Sequence, residues 1–287
     1  MLSIATDYHG QSRNTIEIKA TLTRIAQAGF SHIHWCHEWS GYYIYSVHEM
    51  LQIKDWCGEL GLLVKGIHAS HGEKVGDLKS YASANDYNRL AGIELIKNRV
   101  DLAHLLNAED IVLHSTLPYS KIESEDDFHD YFVRAFKTFD ELEPYCKTRN
   151  IRICIENCGA PALFNRIFDT LFQRYDKDYM GLCLDTGHAY HDCKENCLEY
   201  AERYNDRLFM IHGDDNHGTG DDHLLPFDGG FDWEGFAPLL ARSPYKFPIN
   251  IEVSIEKYQG EDDSVWLKKA FEAGSRFSAM VEKYRFR

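Results

Sequence analysis

Eight short apolar runs, each followed by a longer segment of helical period, recur from one end of the chain to the other. The runs are Leu2–Thr6, His32–Trp35, Leu63–His68, Asp110–His114, Arg152–Glu156, Gly181–Asp185, Leu208–His212 and Pro248–Val253. Each is short and rich in Ile, Val or Leu, as buried strands are. Helical patterns fill the intervals: Thr15–Ala28, Val47–Leu60, Tyr87–Leu106, Asp126–Tyr145, Ala162–Tyr175, Lys194–Tyr204, Trp233–Arg242 and Trp266–Tyr284. The first two stop at Gly29 and Gly61, where a left-handed C-terminal residue is expected. Strand then helix, eight times, implies parallel strands joined by crossovers. With 287 residues the repeat is about 36 residues, the scale of one (β/α)8 TIM barrel. A doubly wound open sheet is the alternative, but the first β–α turn carries no G-x-G-x-x-G. No Pro/Gly/Ser-rich linker divides the chain, so a single domain over 1–287 is expected.

The ends of these runs share a chemistry. Strands three to seven end in His68, His114, Glu156, Asp185 and His212, and strand eight carries Glu252 near its end. A barrel converts such distant positions into one ring at its C-terminal mouth, where barrel enzymes place their chemistry. A single polar residue there is the ordinary meeting of a strand with solvent. Six, with no Lys, Ser or Thr among them, favour a metal centre. Glu156, Asp185 and Glu252 could not all ionise side by side in a buried mouth without a cation. Three carboxylates and one imidazole form a hard, oxygen-rich set that favours Mn²⁺, Mg²⁺ or Co²⁺ over structural Zn²⁺, with zinc still allowed.

Composition narrows the partners. Net charge is −14, with 44% hydrophobic and 26% charged residues, a soluble globular balance. That acidity disfavours electrostatic binding to nucleic acid. No apolar stretch is long enough to span a membrane. Met1–Thr6 lacks the basic and apolar regions of a signal peptide, which points to the cytoplasm. The eight cysteines include no C-x-x-C pair and read mostly as buried, reduced thiols, with Cys193 and Cys197 spaced to share a helix face.

At these residues the chain resembles the xylose-isomerase-like barrel superfamily, which includes sugar phosphate isomerases and epimerases and the endonuclease IV group. The most specific pieces are Asp185-Thr186-Gly187-His188, Asp221-Asp222-His223-Leu224 and Phe227-Asp228-Gly229-Gly230-Phe231-Asp232-Trp233. The last two resemble a D-x-H-L…G-x-G-x-x-D-W stretch, with Asp228 in place of the first glycine. In ketose 3-epimerases of this superfamily one divalent metal is held by Glu, Asp, His and Glu. Glu156, Asp185, His212 and Glu252 match that set in order and strand position. The resemblance makes Glu156 and Glu252 the acid/base pair and His188 a substrate contact. It implies proton abstraction next to a carbonyl through a metal-stabilised enediolate. The endonuclease IV branch implies further ligands, for which His68, His114, His188, Asp221 and His223 are candidates.

Three features lean toward a small sugar or polyol-derived substrate. The net charge opposes DNA. The loop after strand two, His34 to Tyr43, is aromatic rather than basic, and Trp35 can stack on a sugar face. The loop Gly213–Gly220, read as mobile and glycine-rich with His188 in the preceding loop, carries no Arg or Lys to grip a phosphate. His68, His114 and His223 are further substrate-contact candidates. The alternatives are phosphodiester hydrolysis at abasic sites, a lyase on an oxidised glycoside, and a non-catalytic binding protein. Aromatic rim loops are also compatible with a homo-oligomer. Of the remaining polar residues, His9 lines the mouth or is a satisfied loop histidine. Lys65 points into the barrel or pairs with an acid, and His71 is a loop residue. Glu123–Asp127 begins a helix, and residues 261–263 are solvated surface.

Overall fold

The computed structural model describes residues 1–9, 17–39, 41–70, 81–115, 122 and 124–285. Eight parallel strands are followed in turn by helices: β1 Leu2–Ala5, α1 Ile18–Ala28, β2 His32–Trp35, α2 Val47–Leu60, β3 Leu63–His68, α3 Asp86–Leu105, β4 Asp110–His114 and α4 Glu125–Lys147. The second half continues with β5 Arg152–Glu156, α5 Pro161–Arg174, β6 Met180–Asp185, α6 Thr186–Cys193, α7 Glu199–Arg203, β7 Leu208–His212, α8 Trp233–Arg242, β8 Ile249–Ile251 and α9 Asp263–Arg285. The strands pair in the order β7-β6-β5-β4-β3-β2-β1-β8. A parallel bridge between Gly213 and Ile251 joins the two ends, and Asn250 Nδ2 donates to the Ile211 carbonyl at 3.0 Å beside it. The sheet thus closes into the expected (β/α)8 barrel. Among the described residues no helix is long and apolar enough to cross a membrane.

Strand parity decides what each residue does. Ile33, Trp35, Ile111, Leu113, Ile153, Ile155, Leu182, Leu184, Ile211, Ile249 and Ile251 belong to the core between sheet and helices. The alternate residues Val112, Cys154, Cys183 and Met210 form a separate apolar cluster inside the barrel. One residue pair further along the same inward parity lie His114, Glu156, Asp185 and His212. A strand with period two therefore stacks an apolar plug beneath a polar mouth. At the opposite end Arg152 pairs with buried Asp110 at 2.7 Å. Gly66 belongs to the inward set: a Cβ there would stand 2.9 Å from Met210 Cε and 3.1 Å from His34 Nδ1.

Four local expectations are corrected. The helix expected over Lys194–Tyr204 is broken. The chain instead runs helical from Thr186 to Cys193, reverses at Lys194 with φ 51°, makes a 3-10 turn over Lys194–Asn196 and resumes at Glu199. Cys193 and Cys197 consequently do not share a helix face. His188 lies in the first turn of α6, not in a loop. Strand eight ends at Ile251, so Glu252 stands just beyond it. Lys65 does not line the mouth cavity; it is half-buried at the other end of the barrel, where burial lowers its ammonium and Asp110 and Cys154 pull it back up. Its Nζ donates to the Lys246 carbonyl at 2.8 Å and lies over the Tyr245 ring. Thr15, Ser40, His71 and Glu123 lie outside the described residues. His9 pairs with Asp263 at 2.9 Å, so it is the satisfied loop histidine, and residue 263 of the acidic run is partly buried by that contact.

Candidate metal centre and active site

Glu156, Asp185, His212 and Glu252 converge as the strand-end pattern required. One ligand atom from each lies within 4.8 Å of all the others. His212 Nδ1 stands 2.6 Å from Glu252 Oε2, 3.3 Å from Glu156 Oε2 and 3.9 Å from Asp185 Oδ2. Glu156, Asp185 and His212 are essentially inaccessible, whereas Glu252 keeps 12% of its side chain exposed.

Each group is set by its element. Asp185 ends β6 and caps α6, with Oδ1 accepting the His188 backbone N–H at 2.6 Å. Asn157 clamps the same strand end, donating to the Asp185 carbonyl at 2.9 Å and accepting its N–H at 2.8 Å. His212 is oriented by His34, whose Nε2 lies 3.2 Å from His212 Nε2. Burial, with His212 adding to it, holds His34 well below the usual histidine range, so it is neutral. His34 Nε2 can then accept from His212 Nε2–H, which turns His212 Nδ1, carrying a proton or a cation in the proton's place, toward the carboxylates.

The charges balance only with help. Burial works to raise the Glu156 carboxyl, but His212 and His114 beside it hold it well below the carboxylate range. Glu252 is likewise held low by His212 against burial. Asp185 is pushed up to about 6 by burial, against the pull of His188. Glu156 Oε2, Asp185 Oδ2 and His212 Nδ1 are buried and make no hydrogen bond. Three orphaned lone-pair donors and Glu252 around one point fit a divalent cation.

The histidines foreseen as further ligands or substrate contacts surround this centre. His68 Nε2 and His114 Nε2 stand 3.6 and 3.3 Å from Glu156 Oε2. His188 Nε2 and His223 Nε2 both face Asp221 Oδ2, at 3.3 and 3.2 Å. His223 Nδ1 lies 3.1 Å from the Glu252 carbonyl. All of these line one cavity of about 210 Å³, below the 300–1,000 Å³ common for drug-sized ligands.

Trp35 is not brought to the site. Its parity turns it outward, where it is buried in the core and donates to the Tyr45 hydroxyl at 3.0 Å. Trp39 lines the cavity instead, its ring 4.6 Å from His68 and 5.0 Å from His114, its Nε1 donating to Asp7 at 3.2 Å. Asp7, His34, Cys36 and Asn157 were not singled out from the sequence. For His34 the parity of outward Ile33 was the available signal.

The segment read as a mobile glycine-rich loop is also corrected. Asp214, Asp215 and Asn216 are fully buried. Asp214 Oδ1 accepts the Gly187 N–H at 3.0 Å, and Asn216 Nδ2 donates to the Gly187 carbonyl at 2.7 Å. Gly187 is required there, because a Cβ would stand 2.2 Å from Asp214 Oδ2. The substituted Asp228 accepts from the Tyr258 hydroxyl at 2.7 Å, while Gly229 packs directly on the Asn216 carbonyl.

The fold is a parallel (β/α)8 barrel that gathers carboxylates and imidazoles at its C-terminal mouth. The chain belongs to the xylose isomerase-like TIM barrel family, whose model matches residues 22–273. An uncharacterised protein of Sinorhizobium fredii, y4fM, is 33% identical over 286 residues, covering 94% of this chain and 91% of its own. Among solved structures, a D-tagatose 3-epimerase-like protein superposes with a TM-score of 0.75 at 19% identity, covering 98% of both chains. The D-psicose 3-epimerase of Clostridium cellulolyticum H10, solved with D-tagatose, gives 0.74 at 14% identity, again with 98% of each chain covered.

Proposed function

We propose that this protein is a divalent-metal-dependent isomerase or epimerase of a small sugar or related α-hydroxy-carbonyl compound. The observation that carries the reading is the pairing of Glu156 and Glu252, from strands three apart around the barrel, on the wall of one small cavity backed by Asp185 and His212. The same four residues would hold the cation, with Mn²⁺ favoured by the oxygen-rich set and Mg²⁺, Co²⁺ or Zn²⁺ allowed. When bound, the cation polarises the substrate carbonyl and offsets the negative charge that grows on its oxygens as the adjacent C–H is broken. One glutamate takes that proton and the other returns one, on the opposite face for an epimerisation. Both carboxyls are held ionised, as a proton acceptor must be. His188, at the cavity wall, suits a substrate hydroxyl, and Trp39 suits the apolar face of a sugar ring. The epimerases named above support this assignment by fold.

Incubation of the metal-loaded protein in D₂O with a panel of ketoses, read by NMR, tests the proposal. Deuterium should enter next to the carbonyl of at least one ketose, and loss of Glu156 or Glu252 should stop it. Absence of exchange across the panel, with metal bound, would overturn it.

A second reading has its own observation. His68 and His114 at Glu156, and His188 and His223 at Asp221, provide ligands for two or three metals, as hydrolysis of a phosphodiester at an abasic site would use. Against it, the described cavity wall carries Asp221, Asp222 and Glu256 and, of Lys and Arg, only Lys257, itself paired with Asp222 at 2.9 Å. Incision of duplex DNA holding an abasic site distinguishes the two. Release of an aglycone from an oxidised glycoside would instead identify a lyase using the same residues.

A further inference from the structure

Cys158 differs from the other thiols by position. It follows Glu156 by two residues, so the strand end that delivers the carboxylate also delivers a sulfur to the mouth. Cys36, Cys57, Cys146, Cys154, Cys183 and Cys197 are buried, whereas Cys158 is only half-buried. The ligand atoms of Glu156, Cys158 and His188 lie within 4.8 Å of one another. A tetrahedral cation with bonds of about 2.0–2.3 Å spaces its ligands roughly 3.3–3.8 Å apart, so a small contraction closes the set.

The protons point the same way. His188 Nε2 lies 3.3 Å from Asp221 Oδ2, and a proton on Nε2 satisfies that carboxylate. Nδ1 faces Glu156 Oε1 at 3.3 Å and Asp185 Oδ1 at 3.6 Å, and it is buried without a hydrogen bond. A nitrogen, a carboxylate oxygen and a sulfur gathered this closely offer three lone pairs to one cation once the nitrogen and sulfur protons are displaced. A carboxylate behind an imidazole is also the partner that metal-ligating histidines commonly carry. Glu156 serves both sides: Oε1 faces His188, while Oε2 faces His212.

We propose that Glu156, Cys158 and His188 form a second divalent-cation site that shares Glu156 with the Glu156–Asp185–His212–Glu252 centre. The sulfur selects a thiolate-tolerant ion of the zinc or cobalt class over magnesium or manganese. On binding, the Cys158 thiol proton leaves to water and the sulfur lone pair is donated to the cation, with no change in oxidation state. A fourth position stays open to water or to a substrate hydroxyl, so with this site filled His188 meets the substrate through the cation. The site stands on these side chains alone and holds whichever reaction the mouth performs.

Titration of the metal-free full-length protein with Co²⁺ tests it. A near-ultraviolet sulfur-to-cobalt charge-transfer band should grow to saturation. Cys158→Ser should abolish the band and lower bound cobalt by one ion per chain, leaving the visible absorption of the other centre. Cys183→Ser and Cys36→Ser should keep the band. A band that survives Cys158→Ser, or no band at saturating cobalt, overturns the proposal. Wild-type protein gives an independent check through iodoacetamide labelling mapped by mass spectrometry. Zn²⁺ at 100 times its dissociation constant should slow alkylation of Cys158 about 100-fold and leave Cys193 unchanged. Equal rates with and without Zn²⁺ overturn it equally.

Discussion

Asp215→Asn isolates the interaction that turns the segment after β7 into a rigid wall. Asp215 is fully buried and accepts four hydrogen bonds. Oδ1 takes the Asn216 and Phe231 N–H groups, both at 3.0 Å, and Oδ2 takes the Phe227 N–H at 3.2 Å and Trp233 Nε1 at 2.9 Å. Its backbone also pairs in both directions with Leu224, at 3.0 and 2.8 Å, which fixes the turn carrying Asp221 and His223. Asparagine has the same shape, but its one amide oxygen can serve only two of the four donors. Its NH₂ then faces the other two, donor against donor. Two buried N–H groups left unpaired cost about 1–3 kcal/mol each, hence roughly 2–6 kcal/mol in all. That is a large share of a typical stability of about 5–15 kcal/mol. Urea unfolding followed by tryptophan fluorescence is the assay. With a slope of about 3 kcal/mol/M, the midpoint should fall by roughly 0.7–2 M at unchanged slope. The neighbouring Asp214→Asn serves as the control. Burial, reinforced by Asp185, pushes the Asp214 carboxyl well above its ordinary range, so a neutral amide is better tolerated there and it keeps the acceptor for Gly187 N–H. Equal midpoints for wild type and Asp215→Asn, or a larger loss for Asp214→Asn, would refute the reasoning.

Four further outcomes are expected. Glu252→Gln should lower D₂O exchange and turnover by about 100- to 10,000-fold, the range for loss of a general base, and full turnover with unchanged metal content would contradict the assigned role. Metal affinity should rise with pH through and beyond neutrality. Burial opposes charge on His212 and His188, but Cys183, Glu252 and Glu156 around the first, and Asp185 and Asp221 around the second, hold both well above the usual histidine value, so a cation must displace their protons. The gain is up to about tenfold per pH unit for each proton released, measurable by calorimetry in buffers of different ionisation enthalpy, and a flat profile from about pH 6 to 8 would count against it. Trp39→Ala should weaken substrate binding by about 2- to 13-fold, the worth of one aromatic contact, with little loss of stability. Trp35→Ala should instead destabilise the fold by about 3–5 kcal/mol, and steady-state kinetics beside urea unfolding separates the two.

The barrel and its metal-type mouth were legible in the sequence because both rest on short-range rules. Period two puts Cys154 and Glu156 on one side of a strand and Ile155 on the other, and this follows from the pleat whatever the partner strands are. The same parity, applied to Ile33, assigns His34 inward and Trp35 outward, so exchanging Trp35 for Trp39 was within reach of the sequence. Other features were not. A run of Gly, Asp and Asn reads as an exposed loop when only its neighbours in sequence are known. Its burial is decided by donors at Gly187, Phe227, Phe231 and Trp233, up to 27 residues away. Likewise, Cys158 reads as one more buried thiol until β5 and α6 bring it beside His188. Sequence alone determined which residues face the barrel axis, because that is local geometry. Only the tertiary structure decided which of them meet, because hydrogen-bond satisfaction and charge neutrality are properties of the assembled mouth.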